Sequence, residues 1–357
     1  MWDIVIIGAW ASWLFFGCQI PSTKKVLFLE KSEQVGNKLL LSWNWRCNFT
    51  NLIFGKEHYY GDNKDRLDNL FSNFWVKDMV DFLEKNGIET KEEDHWRMFL
   101  KSDKSKQLLN FFFKRNKELG HEFELGKEVV NIKKEKDYYV ITTKEDLIQT
   151  KKIVIACWWK SFPQIGGSDF IFQFAETFWI ATQSPTPALC WIKTKENLSS
   201  LSWSSVPAKI IVKNKSSEAL HEDFWIVLFT HRWISGPGIF NLSLALARYS
   251  NELNKLKIKL IIEGKDCTKR LLNYLKAPKG LKNYTLTINP ESFSSRETAK
   301  VMSGWVCFSE LTDQFELKKA PWIYLIGEAI NITWETWGYN LQWCWTSAWC
   351  CSKAFLV

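Results

Sequence analysis

From Asp3 the chain reads DIVII, a short aliphatic run rich in β-branched residues. That pattern predicts a strand buried on both faces. Gly8 interrupts it, the apolar segment from there to Ile20 predicts a helix, and Pro21 stops that helix. Lys25 to Glu30 (KVLFLE) predicts a second strand. Strand, helix and strand in this order open a doubly wound, Rossmann-like α/β domain.

Further along, residues 38–51 predict a polar loop, and 66–86 and 104–119 have helical spacing. Short strands are expected between 121 and 156, ending in Ile153 to Ala156, and then a helix from Asp169 to Phe178. Pro185 and Pro187 mark a boundary, after which the pattern changes. Strand-like runs (Lys209 to Lys213, Trp225 to Thr230, Lys257 to Glu263) alternate with helical ones (Gly238 to Tyr249, Thr268 to Leu275). Ile323 to Gly327 returns to a buried strand, and Gly338 to Phe355 predicts a terminal helix. The organisation expected is a discontinuous nucleotide-binding domain, 1–185 and 300–357, with an inserted β-barrel and helical domain at 186–299.

The segment between the first strand and helix has the spacing of the dinucleotide fingerprint G-x-G-x-x-G. Its glycines serve a tight turn, backbone approach to the pyrophosphate and close helix–strand packing. Here the six residues are Gly8, Ala9, Trp10, Ala11, Ser12 and Trp13. Glu30 closes the second strand, where an acid binds ribose hydroxyls. An indole at 10 would occupy pyrophosphate space, and one at 13 would wedge the helix off the sheet.

Composition sharpens that anomaly. The chain has 21 tryptophans but only 17 glycines in 357 residues, the reverse of ordinary usage. Its 46% hydrophobic and 24% charged residues are otherwise those of a globular protein. Nine scattered cysteines without a CxxC pair predict free thiols. No spanning segment or basic leader is evident, so a cytoplasmic protein is expected. The net charge of +8 is spread over mixed-sign stretches, which reads as solvated surface and argues against a nucleic-acid partner. Zinc spacing, a P-loop, a nucleophile elbow and a second dinucleotide fingerprint are all missing, and no metal site is expected.

Four further blocks share a pattern. Ser42-Trp43-Asn44-Trp45-Arg46-Cys47-Asn48-Phe49-Thr50-Asn51 resembles S-G-G/N-G-R-C-N-F/L-T-N. Ala156-Cys157-Trp158-Trp159-Lys160-Ser161-Phe162-Pro163 resembles A-T-G-G-x-S-Y/F-P. Phe229 to Pro237 (FTHRWISGP) is similar to F-T-H-x-G-I-S-G-P, and Gly327-Glu328 followed by Trp334 to Trp343 to G-E-x-x-D-x-x-G-x-T-G-G-Y-N-L-Q-W. In this order over nearly the whole chain, they identify a resemblance to the BaiN/RdsA-like (HI-type conserved) family of NAD(P)/FAD-dependent oxidoreductases.

Against that family pattern, Trp10, Trp13, Trp43, Trp45, Trp158, Trp159, Trp233, Trp334, Trp337 and Trp349 stand at glycine positions. Trp96, Trp305 and Trp322 join them, whereas Trp343 matches a family tryptophan. Random decay would scatter residue types. A one-way exchange suggests a UGA codon read as glycine by the source organism, which also accounts for the skewed composition.

The resemblance implies FAD as cofactor and NAD(P)H as transient electron donor. The expected contacts are Gly8, Trp10, Ala11, Ser12 and Trp13 around the pyrophosphate, Glu30 and Lys31 at the adenosine ribose, and Val130 through its backbone at the adenine. Lys38 and Arg46 are candidates for phosphate or flavin, or are solvated cations. Ala156 and Trp158 belong to a further contact, and Gly327 and Glu328 to the ribityl chain and pyrophosphate. Trp337, Gly338, Asn340 and Leu341, at the start of the last helix, would face the flavin. His231 is the candidate proton donor, or else a loop residue capping backbone. The function implied is hydride transfer from NAD(P)H through flavin to an organic small molecule such as an activated C=C or C=O. Two alternatives stay open: an FAD-dependent tRNA-modifying enzyme, and a degenerate scaffold that binds no FAD if the tryptophans are real.

Overall fold

The computed structural model describes residues 1–8, 11–36, 39–40, 45–157 and 170–356. It separates into two compact units, Met1–Ser184 with Gly304–Val357, and Pro185–Ser303.

The first unit opens with β1 (Trp2–Ile7), α1 (Ala11–Cys18) and β2 (Val26–Leu29). There follow β3 (Asn48–Asn51), β4 (Tyr59–Gly61), α2 (Leu67–Asn73), α3 (Val76–Lys85), β5 (Thr90–Glu93), β6 (Arg97–Leu100) and α4 (Ser105–Glu118). Then come β7 (Glu122–Glu124), β8 (Val129–Lys134), β9 (Tyr139–Thr143), β10 (Leu147–Ile155) and α5 (Phe170–Thr177). The C-terminal part adds β11 (Glu316–Leu317), β12 (Ala320–Leu325), β13 (Ile332–Trp334) and α6 (Tyr339–Ser352).

The main sheet runs β11-β12-β10-β1-β2-β7, with β8 and β9 joined to it through β10. From β12 to β7 neighbours are parallel: Ile153 lies opposite Ile323, Ile4 opposite Lys152 and Val26, and Leu27 opposite Glu122. Val5, Ile6, Ile153, Val154 and Ile155 are wholly buried. A parallel sheet covered on both faces demands this, hence the unbroken aliphatic runs. α1 packs on α6 and α4. Asn116 of α4 donates to the carbonyls of Leu14 (2.9 Å) and Phe112 (2.8 Å), tying the two helices together.

Three boundaries differ from the expectations. The helical stretch 66–86 breaks at Phe74 and Trp75, both extended, because the Asp78 carboxylate accepts the Trp75 N–H at 2.6 Å and starts a new helix there. The polar stretch 48–51 is a fully buried strand paired with β6, in which the side chains of Thr50 and Asn51 find partners elsewhere in the fold and that of Asn48 does not. The last α-helix stops at Ser352, and Lys353–Phe355 form a 3₁₀ turn.

The second unit holds a seven-stranded antiparallel sheet, in the order 283–288, 257–263, 205–213, 219–229, 233–235, 192–194, 290–293. Val206, Ala208, Ile210 and Val212 alternate inward along its third strand, as a half-buried strand requires. Its helices span Pro237–Leu246 and Lys269–Leu275. Among the described residues no helix is long and apolar enough to cross a membrane.

Candidate functional site

In open α/β sheets ligands bind beyond the carboxyl ends of the strands. Four such ends lie side by side here: Ile326 after β12, Ala156 after β10, Gly8 after β1 and Glu30 after β2. Backbone bonds carry the ladder through these residues: Ile326 N–H to Ile155 (3.1 Å), Ala156 N–H to Ile7 (2.9 Å), Gly8 N–H to Leu29 (2.9 Å) and Glu30 N–H to Glu124 (3.0 Å). Gly8 has φ of +110°, and a Cβ there would lie 2.9 Å from the Ala156 carbonyl oxygen. Only glycine suits both the conformation and the space.

Ala11, Ser12 and Trp13 begin α1, all three buried. The Trp13 indole packs inside the fold, 4.4 Å from the Phe28 ring and 5.7 Å from Phe123. Its Nε1 is buried without a hydrogen-bond partner.

Glu30 is 6% exposed, and its carboxylate accepts the Ser32 N–H at 2.7 Å. Burial raises its pKa to about 7, against the opposing Ser32 hydrogen bonds. A carboxylate has about four lone-pair positions, so Glu30 can accept a ribose hydroxyl beside the Ser32 and Lys31 hydrogen bonds.

The C-terminal block meets this rim at Gly327, where a Cβ would lie 2.8 Å from Ser12 Oγ. Asn340 Nδ2 reaches Glu328 Oε1 at 3.4 Å. Gly338 (φ +102°) is the N-cap of α6, and the helix's own bonding begins with Gln342 N–H to Gly338 at 3.1 Å. The N–H groups of Tyr339, Asn340 and Leu341 therefore precede the first intrahelical bond, a natural anion-binding terminus. Thr50 donates to Gln342 Oε1 (2.7 Å), and Asn51 donates to the Trp337 carbonyl (3.2 Å), so β3 positions this helix start.

Two features escaped sequence reasoning as site residues. Asn48, inside the R-C-N block, is 2% exposed with both side-chain polar atoms unpartnered, and a Cβ on Gly338 would lie 2.8 Å from its Oδ1. An unsatisfied buried amide beside a helix terminus is a ligand's partner in waiting. The second is a cluster drawn from distant segments. His58 Nδ1 lies 2.9 Å from Glu335, Tyr60 donates to Glu335 at 3.0 Å, and the His58 ring stacks on Tyr339 at 4.3 Å. β4 and β13 create it by pairing, a contact without a local sequence signal.

Other expected contacts stand differently. Arg46 is held by Asp103 (2.7 and 2.9 Å) and by Glu93, with Phe99 under its guanidinium, so its charge is already balanced. Lys31 pairs with Glu128 at 2.6 Å. Val130 is 42% exposed at a register shift between Val129 and Asn131, a bulge that turns its backbone out of the ladder. His231 is exposed in the second unit, its carbonyl accepting the Leu198 N–H at 2.9 Å. Trp10, Lys38 and Trp158 lie outside the described residues. The described residues contain no metal-binding cluster, and burial pushes the Cys157 thiol up to about 12, as expected for an inert cysteine.

Comparisons with known proteins bear on these features. Over 99% of this chain and 98% of its own length, the "Ribosomal RNA dihydrouridine synthase" of Escherichia coli (strain K12) is 28% identical. The "3-dehydro-bile acid delta(4,6)-reductase" of Clostridium scindens is 22% identical over 98% of each chain. The crystal structure of a 3-ketosteroid-delta4-(5alpha)-dehydrogenase from Rhodococcus jostii RHA1 shares the fold, with a TM-score of 0.55 at 10% identity, covering 98% of this chain and 96% of that one.

The first relative corrects one expectation. An RNA-acting enzyme of full matching length overturns the argument against a nucleic-acid partner. Mixed-sign charge along the sequence does not exclude such a partner, because phosphates respond to the summed field of a folded surface. The site itself suits FAD on three observations, the Cβ-free cradle at Gly8, the unpaired Asn48 amide and the open first turn of α6. The HI0933-like protein Rossmann domain matches residues 2–354, and the chain belongs to that family of FAD-dependent oxidoreductases, as its BaiN/RdsA-like motifs imply.

Proposed function

We propose that this enzyme reduces a carbon–carbon double bond conjugated to a carbonyl, with uracil in ribosomal RNA as acceptor and NAD(P)H as electron source, in the cytoplasm. The observation that carries this reading is the full-length likeness to a ribosomal RNA dihydrouridine synthase. The bile-acid reductase supports its chemical core, since a 3-oxo steroid with Δ4,6 unsaturation and a uracil ring both present C=C conjugated to C=O.

FAD held here would supply two-electron hydride chemistry. The chain's own part is to hold and polarise. Backbone at Gly8, Ala11 and Ser12 receives the pyrophosphate at the α1 terminus. Glu30 accepts from the adenosine ribose, and its charge disfavours a 2′-phosphate there. Gly327 and Glu328 take the ribityl side. Asn48, Gly338 and the first N–H groups of α6 hold the polar edge of the ring system, where the helix dipole favours negative charge.

The test is direct. The protein from its own cells should be yellow and release FAD on denaturation. With NAD(P)H and ribosomal RNA it should produce dihydrouridine, read by mass spectrometry of the digested RNA. A colourless protein that takes up no FAD sinks the whole reading. A yellow protein that reduces a steroid enone but leaves RNA untouched replaces uracil with a small-molecule acceptor.

A further inference from the structure

Among the described residues, 15 non-glycine positions have positive φ, and seven of them are tryptophan: Trp45 (71°), Trp96 (56°), Trp179 (54°), Trp203 (64°), Trp305 (121°), Trp322 (69°) and Trp337 (90°). Asparagine and aspartate visit this region because their short side chains bond locally, whereas a bulky residue there is a genuine outlier. Five of the seven also rank among the exposed large hydrophobics, with Trp179 at 85% and Trp203 at 80%. These indoles gain little burial to offset the backbone they sit on.

Two of the positions are turns of defined type. Trp179 follows α5, with Trp179 N–H bonded to Glu176 (3.2 Å) and Ile180 N–H to Ala175 (2.9 Å). That pair of bonds is the Schellman motif, and Trp179 occupies its left-handed C′ position, where glycine is usual. Ser204 N–H closes a turn onto Leu201 at 3.0 Å, with Ser202 at φ −50°, ψ 136° and Trp203 at φ 64°. This is a type II turn, which asks for glycine at its third residue. Neither tryptophan lies at a position where the motif blocks expect glycine.

We propose that the cell makes this protein with glycine at 45, 96, 179, 203, 305, 322 and 337, each codon being UGA read as glycine. Trp13 and Trp334 join the set on a second criterion, as fully buried indoles whose Nε1 has no partner. Trp225, Trp343 and Trp345 are the opposite class. Their N–H groups donate to Asp223 (2.6 Å), Gly327 (3.0 Å) and Phe49 (2.9 Å), and none has positive φ. These three are true tryptophans with UGG codons. The inference rests on backbone geometry and holds whether or not the acceptor is RNA. Its consequence for the site is that α6 begins on two consecutive glycines, 337 and 338, beside Asn48.

The experiment is tandem mass spectrometry of peptides from the protein isolated from its own cells, together with the codons of its gene. Glycine and UGA are expected at 179 and 203, with tryptophan and UGG at 225, 343 and 345. Tryptophan at 179 and 203 overturns the proposal, even if the motif positions prove to be glycine. A second measurement uses recombinant protein made with and without Trp179→Gly and Trp203→Gly. The double replacement should raise the melting temperature by several degrees, and a fall would refute the backbone assignment.

Discussion

Trp343 donates its indole N–H to the Gly327 carbonyl at 3.0 Å, with the ring wholly buried. Gly327 in turn donates its N–H to Ser347 Oγ at 3.0 Å. One glycine thus joins the end of β12 to two successive turns of α6, and its missing Cβ leaves room for Ser12. Trp343→Phe would leave that carbonyl only the longer contact from Ile330, 3.4 Å. The expected loss is about 1–3 kcal/mol from the hydrogen bond and the partial cavity. A urea midpoint unchanged from wild type would show that the bond contributes nothing.

Gly8→Ala tests the cradle. The substitution places a Cβ 2.9 Å from backbone and asks alanine to hold φ of +110°. The conformation alone costs about 1–2 kcal/mol, and relief by shifting Gly8 would disturb the pyrophosphate contacts. FAD retention should drop at least tenfold, followed by flavin fluorescence. Full retention would place the cofactor elsewhere.

Glu30 links stability to pH. Its folded pKa of about 7 lies above the ordinary 4.5, so the folded state binds the extra proton between those values. Stability is therefore greatest below the unfolded pKa and declines as pH rises through about 4.5 to 7. Glu30→Gln lacks this slope, and without cofactor it should exceed wild type by about 1–3 kcal/mol at pH 8 while matching it below about pH 4. Parallel denaturation profiles for the two proteins would contradict the assignment. FAD affinity should move the other way, falling about tenfold with the lost ribose acceptor.

Asn48→Leu separates fold from function. Both side-chain polar atoms are buried and unpaired. An apolar replacement of similar volume should leave the cofactor-free protein equally stable or about 1 kcal/mol more so, yet weaken FAD binding. Destabilisation without any change in FAD affinity would make Asn48 a purely structural residue.

Local patterns carried much of this protein in legible form. The DIVII and KVLFLE runs announce strands covered on both faces, and Gly8 and Glu30 stand where such strands end. Burial on both sides forces an aliphatic composition, so periodicity alone reveals it. The ordered blocks around Arg46, Ala156, His231 and Gly338 carried the family, because backbone that must approach a ligand tolerates few residue types. The excess of tryptophan over glycine was visible as composition before any fold was known.

Other facts exist only once distant segments meet. Asn48 reads as one more polar loop residue until β3 pairs with β6 and buries it. The His58, Tyr60 and Glu335 cluster depends on β4 finding β13. Arg46 reads in sequence as a phosphate or flavin contact or as a solvated cation, because nothing nearby shows that Asp103 and Glu93 will close on it. The tryptophans divide in the same way. Composition counted them, but only φ and the hydrogen bonds of the folded chain distinguish Trp179 and Trp203, on turns that call for glycine, from Trp343, whose indole has a carbonyl to hold. A dihedral angle and a long-range donor are properties of the assembled backbone, and no single residue's identity contains them.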